Sequence, residues 1–268
     1  MTWMDAAAEL RSARVPAVLI TLASVRGHAP REAGAKMIVT ADDLYGTIGG
    51  GNLEMTAVTR AREMLTGDSG DAGDRPFEPE MLTLRLNDKA PAKYGRQCCG
   101  GEVALLLEPL PVPATVAIFG AGNIGLELTR ILARHELDLH VTDSRPEHLG
   151  ELDRLEPPVA ELSRHFAVVG EEVLTSLPPG SHVFIMTHDH AEDLHLCQAA
   201  LSRGDLGTIG LIGSSAKWQR FRKALIADGH APEVVDTISC PIGLPALTGK
   251  QPATIALSVA ADLLSRLR

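Results

Sequence analysis

Aromatic side chains are scarce in this sequence. Phe, Tyr and Trp together make up 3% of its 268 residues, so its cores have to be aliphatic. Positive charge is also short, with 25 Lys and Arg against 34 Asp and Glu and a formal net charge of -9. That balance excludes the clustered cations that non-specific binding to nucleic acid or to an anionic membrane needs. No apolar run approaches the roughly 20 residues of a membrane span, and the opening Met1-Thr2-Trp3-Met4-Asp5 lacks the basic-then-apolar signature of a signal peptide. The expected location is the cytoplasm. The four cysteines, Cys98, Cys99, Cys197 and Cys240, lack the paired spacing of a zinc site, and a reducing compartment keeps them as thiols. Adjacent Cys98 and Cys99 are poorly placed to bond each other, because a disulfide wants separated Cα atoms and converging Cβ vectors.

What is present, 45% hydrophobic and 22% charged residues, is the composition of a globular chain and excludes extensive disorder. The spacing predicts a helix over 4–13, a buried strand over 16–23, a hairpin with arms 35–39 and 44–48 around Thr40-Ala41-Asp42-Asp43, a helix over 53–65, a loop over 67–79 and strands near 81–86 and 102–108. Pro109-Leu110-Pro111-Val112-Pro113 is a stiff linker, since proline fixes φ and removes backbone donors. Beyond it, strands and helices alternate: strands at 115–119, 137–142, 166–169, 182–187 and 206–212, helices at 123–134, 191–203, 215–228 and 252–267. Alternation implies a parallel sheet covered on both faces. The expected class is therefore α/β, a smaller N-terminal α+β domain over 1–110 followed by a C-terminal Rossmann-type parallel-sheet domain over 114–268.

The apolar strand Val116-Ala117-Ile118-Phe119 runs into Gly120-Ala121-Gly122-Asn123-Ile124-Gly125 and then a helix. In that context Gly120 permits the tight turn, Gly122 lets a phosphate approach the backbone, and Gly125 lets helix and strand pack closely. Asp143, ending the next strand, is placed to accept from a ribose hydroxyl and suits NAD over NADP. The bland alternative is that the glycines serve packing alone.

Seven segments stand in order along the chain: Arg26-Gly27-His28-Ala29-Pro30-Arg31-Glu32-Ala33-Gly34-Ala35-Lys36-Met37, Gly46-Thr47-Ile48-Gly49-Gly50-Gly51-Asn52-Leu53-Glu54, Gln97-Cys98-Cys99-Gly100-Gly101, the Gly120–Gly125 turn, Met186-Thr187-His188-Asp189-His190, Gly210-Leu211-Ile212-Gly213-Ser214 and Cys240-Pro241-Ile242-Gly243-Leu244-Pro245. Together they resemble the xanthine dehydrogenase accessory proteins of the XdhC/CoxI family. The resemblance implies a small N-terminal domain before a Rossmann domain. It also implies a chaperone rather than a catalyst, one that binds molybdenum cofactor, protects it, supports its sulfuration by a cysteine desulfurase and delivers it to the molybdenum subunit of xanthine dehydrogenase. His28 stands where relatives usually carry a small residue.

Molybdenum favours sulfur and oxygen donors, and a thiolate holds a thiolene-bound metal without enclosing it. Cys99, directly before Gly100-Gly101, is the expected metal ligand, with Cys98 assisting or packing; the alternative for either is a small buried hydrophobe. Gly49, Gly50 and Gly51 offer bare amides at a helix start as a cradle for the pterin phosphate, with Arg26, Arg31 and Lys36 supplying charge; the alternative is a tight turn beside solvated cations. His188 and His190 sit at the C-terminal end of a strand, where they suit a metal or a proton, or where Thr187 and Asp189 merely cap a helix. Cys197 reads as core, and Lys217, Arg220 and Lys250 as solvated. A competing function is an NAD-dependent oxidoreductase using the glycine turn. A homodimer is expected because its interface would shield a labile ligand.

Overall fold

The computed structural model describes residues 2–66, 78–86 and 100–267. They form two compact units, Met1–Val112 and Pro113–Arg268.

The first unit contains α1 (Trp3–Ser12), β1 (Ala17–Arg26), β2 (Lys36–Val39), β3 (Leu44–Gly46), α2 (Gly51–Thr66), β4 (Glu80–Arg85) and β5 (Glu102–Leu110). The strands make an antiparallel sheet in the order β3-β2-β1-β5-β4. Side chains alternate across a strand, so Val18, Ile20 and Leu22 of β1 share a face with Met37, Val39, Val103, Leu105 and Leu107. Leu53, Ala57, Val58, Ala61 and Met64 of α2 pack onto that face. The other face meets α1 through Ala6 and Leu10 against Leu19 and Ile38. A capping box between Thr2 and Asp5 starts α1.

The second unit contains β6 (Ala114–Phe119), α3 (Asn123–Leu132), β7 (Leu137–Asp143), α4 (Pro146–Gly150), β8 (Glu161–Phe166), α5 (Gly170–Ser176), β9 (His182–Ile185), α6 (His190–Arg203), β10 (Ile209–Leu211), α7 (Ser215–Ala227), α8 (Pro232–Val235) and α9 (Pro252–Arg266). Its sheet is parallel in the order β10-β9-β6-β7-β8, with the reversal of winding between β6 and β9. Helices α3 and α9 cover Val116 and Ile118 on one face; α5, α6 and α7 cover Ala117 and Phe119 on the other. The expected mixed fold with a Rossmann-type C-terminal sheet is the one observed. Among the described residues no helix is long and apolar enough to cross a membrane.

The strand expected at 166–169 lies at 161–166 instead. Glu161-Leu162-Ser163-Arg164-His165-Phe166 is an edge strand with polar side chains and no apolar run to betray it, whereas the apolar Ala167-Val168-Val169 that invited the assignment is a connection into α5. The short helices α4, α5 and α8 also went unread, each too brief to show helical periodicity.

Gly125 shows how tightly α3 sits on the sheet, because a Cβ there would overlap the Gly120 carbonyl oxygen. Gly125→Ala is expected to cost about 1–3 kcal/mol, read as a lower urea midpoint with an unchanged slope. His182 on β9 carries a pH dependence. Its Nδ1 accepts from the Thr208 amide at 3.3 Å, and burial, then Arg266, depress the imidazole pKa. A depressed histidine pKa means the unfolded chain binds the proton more readily, so this group costs stability as pH falls below the ordinary value of about 6.5 and costs nothing above it. The melting temperature should fall on going from pH 7.5 to 5.5, and His182→Gln should flatten that slope.

Candidate functional site

Three motif segments far apart in sequence meet at one end of the first unit. After β4, Gly100 donates its amide to Leu86 at 2.8 Å and Leu86 donates to Gly101 at 2.8 Å, while His28 pairs with Gly100 as an isolated parallel bridge. A Cβ on Gly101 would overlap the His28 carbonyl oxygen, so the two backbones lie against each other with no room for a side chain. On the other flank, a Cβ on Gly49 would overlap the Pro30 ring and lie 3.6 Å from Cγ of Arg31. Residues 26–31 therefore run between Gly100-Gly101 and the triple glycine. Cys98 and Cys99, which directly precede Gly100, lie outside the described residues.

Two of the three amides of the triple glycine, those of Gly49 and Gly50, are not bare, and the expected cradle is corrected at those two positions. The Gly49 amide donates to Thr47 Oγ1 at 3.1 Å, and the amides of Ile48 and Gly50 both donate to Glu54 Oε2 at 3.1 Å. The Thr47 hydroxyl also donates to Glu54 Oε2, at 2.5 Å. Gly49, Gly50 and Gly51 take φ of +129°, +75° and +63°, a run that only glycine adopts without strain. Of the three expected cations, Lys36 is engaged elsewhere, donating to Thr21 Oγ1 at 2.7 Å and lying over the Trp3 ring. Arg26 stands 3.7 Å from Glu102. Arg31 is exposed and its side chain makes no ion pair or hydrogen bond among the described residues.

In the second unit, Gly120 and Gly122 form the turn between β6 and α3, and Gly120 at φ +109° has no room for a Cβ beside the Met186 carbonyl. Nothing lies within 4 Å of a Cβ built on Gly122, and a cavity of about 730 Å³ opens there, with Asn123, Arg130, His148 and Gln251 on its walls. Asp143 is not an open ribose acceptor, contrary to expectation. Its Oδ2 accepts from the Ala121 amide at 2.7 Å and from Arg145 at 2.9 Å, and its Oδ1 accepts from the Arg145 amide and Nε, each at 2.9 Å. Burial alone would raise its pKa, but these donors outweigh burial and hold it below the usual carboxylate range. With four donors on one carboxylate, Asp143 stitches the glycine turn to the start of α4, and the NAD reading loses the residue it needed.

His188 and His190 are exposed, and among the described residues no group of three His, Cys, Asp or Glu is placed to hold a metal. Asp189 caps α6 by accepting from the Ala191 amide at 2.6 Å, and His190 Nδ1 lies 3.2 Å from Arg220. Sequence reasoning missed the element that holds this loop. Asp193, fully buried, accepts from the Thr187 amide at 3.0 Å and its hydroxyl at 2.8 Å, and pairs with Lys217 at 2.5 Å. Lys217 also donates to the Ile212 carbonyl at 2.9 Å, and its side chain is only 9% exposed, which corrects its reading as solvated. No local signal marks the pair, since 24 residues separate Asp193 from Lys217. Burial pushes the Cys197 thiol up to about 12 and the Cys240 thiol up to about 11, so neither is a thiolate at neutral pH.

A family model described as the XdhC Rossmann domain matches residues 116–263, more than half of the chain. The chain belongs to the XdhC family. A second model, of the XdhC and CoxI family, matches residues 10–71, which hold the 26–31 and triple-glycine segments. Among curated proteins this XdhC-family chain is 25% identical over 259 residues to the uncharacterized Escherichia coli K12 protein YqeB, covering 96% of this chain and 45% of that one. It is 36% identical over 95 residues to the Escherichia coli K12 molybdenum cofactor insertion chaperone PaoD, covering 35% of this chain and 26% of PaoD. The chain thus spans less than half the length of either relative. A crystal structure described as a xanthine dehydrogenase from Bacillus halodurans is 19% identical, with a TM-score of 0.49 over 100% of this chain and 96% of that one.

Proposed function

We propose that this XdhC-family chain is a molybdenum-cofactor chaperone that takes the cofactor at the glycine-rich end of its first unit. The observation that carries the reading is the meeting of residues 26–31, 47–51 and 100–101, three of the segments by which the chain resembles its family, at one place where Gly50 and Gly100 leave backbone uncovered. Kinship with a molybdenum cofactor insertion chaperone supports the same cargo. In this reading Cys99, tethered one residue from the anchored Gly100, offers its thiolate to the metal, and Cys98 stands beside it. Gly49, Gly50 and Gly51 give a surface on which a flat pterin can lie. Arg31 takes the terminal phosphate through its planar guanidinium, since the amides of Gly49 and Gly50 are already engaged. The chain would act without catalysing a reaction, as a cytoplasmic homodimer. It would keep the cofactor from solvent while a cysteine desulfurase supplies sulfur, then pass it to the molybdenum subunit of xanthine dehydrogenase.

The test is handover. Cofactor-free xanthine dehydrogenase mixed with cofactor-loaded chaperone should gain activity faster, and with less loss to oxidation, than with the same amount of free cofactor. Equal activation by free cofactor would contradict the reading.

A further inference from the structure

We propose that Glu54 is the positioning residue of the cofactor site, acting through the triple-glycine loop rather than by touching the ligand. The proposal rests on the reading of the first unit as the cofactor-binding end. Three glycines in succession lose more conformational entropy on ordering than any other residues would, so the loop needs an anchor to hold its run of positive φ. One carboxylate oxygen supplies it. Glu54 Oε2 gathers the Thr47 hydroxyl and the amides of Ile48 and Gly50, and Thr47 Oγ1 takes the Gly49 amide in turn. The three bonds to Glu54 go to a carboxylate oxygen, and hydrogen bonds to carboxylates are roughly twice as strong as neutral ones. Glu54 lies on α2 next to Leu53, which is buried in the core of the unit with Ala57 and Val58, so the loop inherits the rigidity of a packed helix.

The geometry also assigns what the loop offers. The amides of Ile48, Gly49 and Gly50 turn inward to Glu54 and Thr47, and nothing stands within 4 Å of the place a Gly50 Cβ would occupy. The open side at Gly50 is bare backbone, suited to the flat face of a ring system, and a phosphate directed at the Ile48 and Gly50 amides would have to displace a carboxylate already seated among them. Inorganic phosphate alone should therefore leave the loop amides undisturbed.

The experiment uses the full chain with Glu54→Gln, Glu54→Ala and Thr47→Val. Amide hydrogen exchange, which needs no cofactor, should show Ile48, Gly49 and Gly50 protected in the wild type. Exchange should be about tenfold or more faster in Glu54→Ala and intermediate in Glu54→Gln, with melting temperatures close together. Retention of molybdenum cofactor, measured where all variants are folded, should fall in the same order, with Gln partly rescuing what Ala loses. Unchanged exchange in Glu54→Ala overturns the clamp. Faster exchange with wild-type retention overturns the positioning role alone, leaving the functional reading intact. A wild type that retains no cofactor overturns the functional reading and the role of Glu54 with it. Should Glu54→Ala fail to fold, the Gln and Thr47→Val chains carry the same comparison.

Discussion

Lys217→Ala is expected to destabilise the second unit by about 3–5 kcal/mol, because it leaves the Asp193 carboxylate charged, fully buried and without its cation. Truncation also frees the Ile212 carbonyl and opens a gap beside Phe221, whose ring lies 5.2 Å from the ammonium. A buried pair is not itself worth that much, since desolvation offsets most of the attraction. The double variant Asp193→Asn with Lys217→Met tests the distinction. Asn keeps an oxygen for the Thr187 amide and Met fills the lysine stem, so most of the loss should return. Urea unfolding of the three chains measures this, and a Lys217→Ala loss below about 1 kcal/mol would show that the pair is solvated after all.

Cys99→Ala should cut the affinity for molybdenum cofactor by at least about tenfold, the lower end of what disturbing a metal's coordination costs. On the proposed reading, Cys99 would supply the soft donor to the metal while Arg31 and the glycine loop would still hold the rest of the cofactor. Neither described cysteine stands ready as a thiolate, because burial holds Cys197 at about 12 and Cys240 at about 11. Cys240→Ala should therefore retain cofactor as the wild type does, and equilibrium dialysis of the three proteins separates the two thiols.

Much of the fold was legible because it is written in periodicities. The short apolar runs of β1 and β6, bounded by turn residues, announced buried strands, and the glycine spacing after β6 announced the turn. What escaped was local or long-range. The edge strand β8 has no apolar signature, and helices of four to seven residues span too few turns for helical periodicity to show. At the site, the sequence placed the right segments in one family pattern but could not say which amides were already spoken for. The engagement of Gly49 and Gly50 by Thr47 and Glu54, and of Asp143 by Arg145 and Ala121, depends on where side chains turn in space, and spacing alone is silent on that. The pairing of Asp193 with Lys217 was hidden for the same reason, since 24 residues separate two ordinary surface-type residues.

The most direct measurement is the molybdenum and pterin content of this chain isolated from cells that make the cofactor. The account predicts the two in equal amounts, approaching one per chain, and both lost together when Cys99 is replaced by alanine. A chain that comes out of such cells with neither, or with both undiminished in the alanine variant, would contradict it.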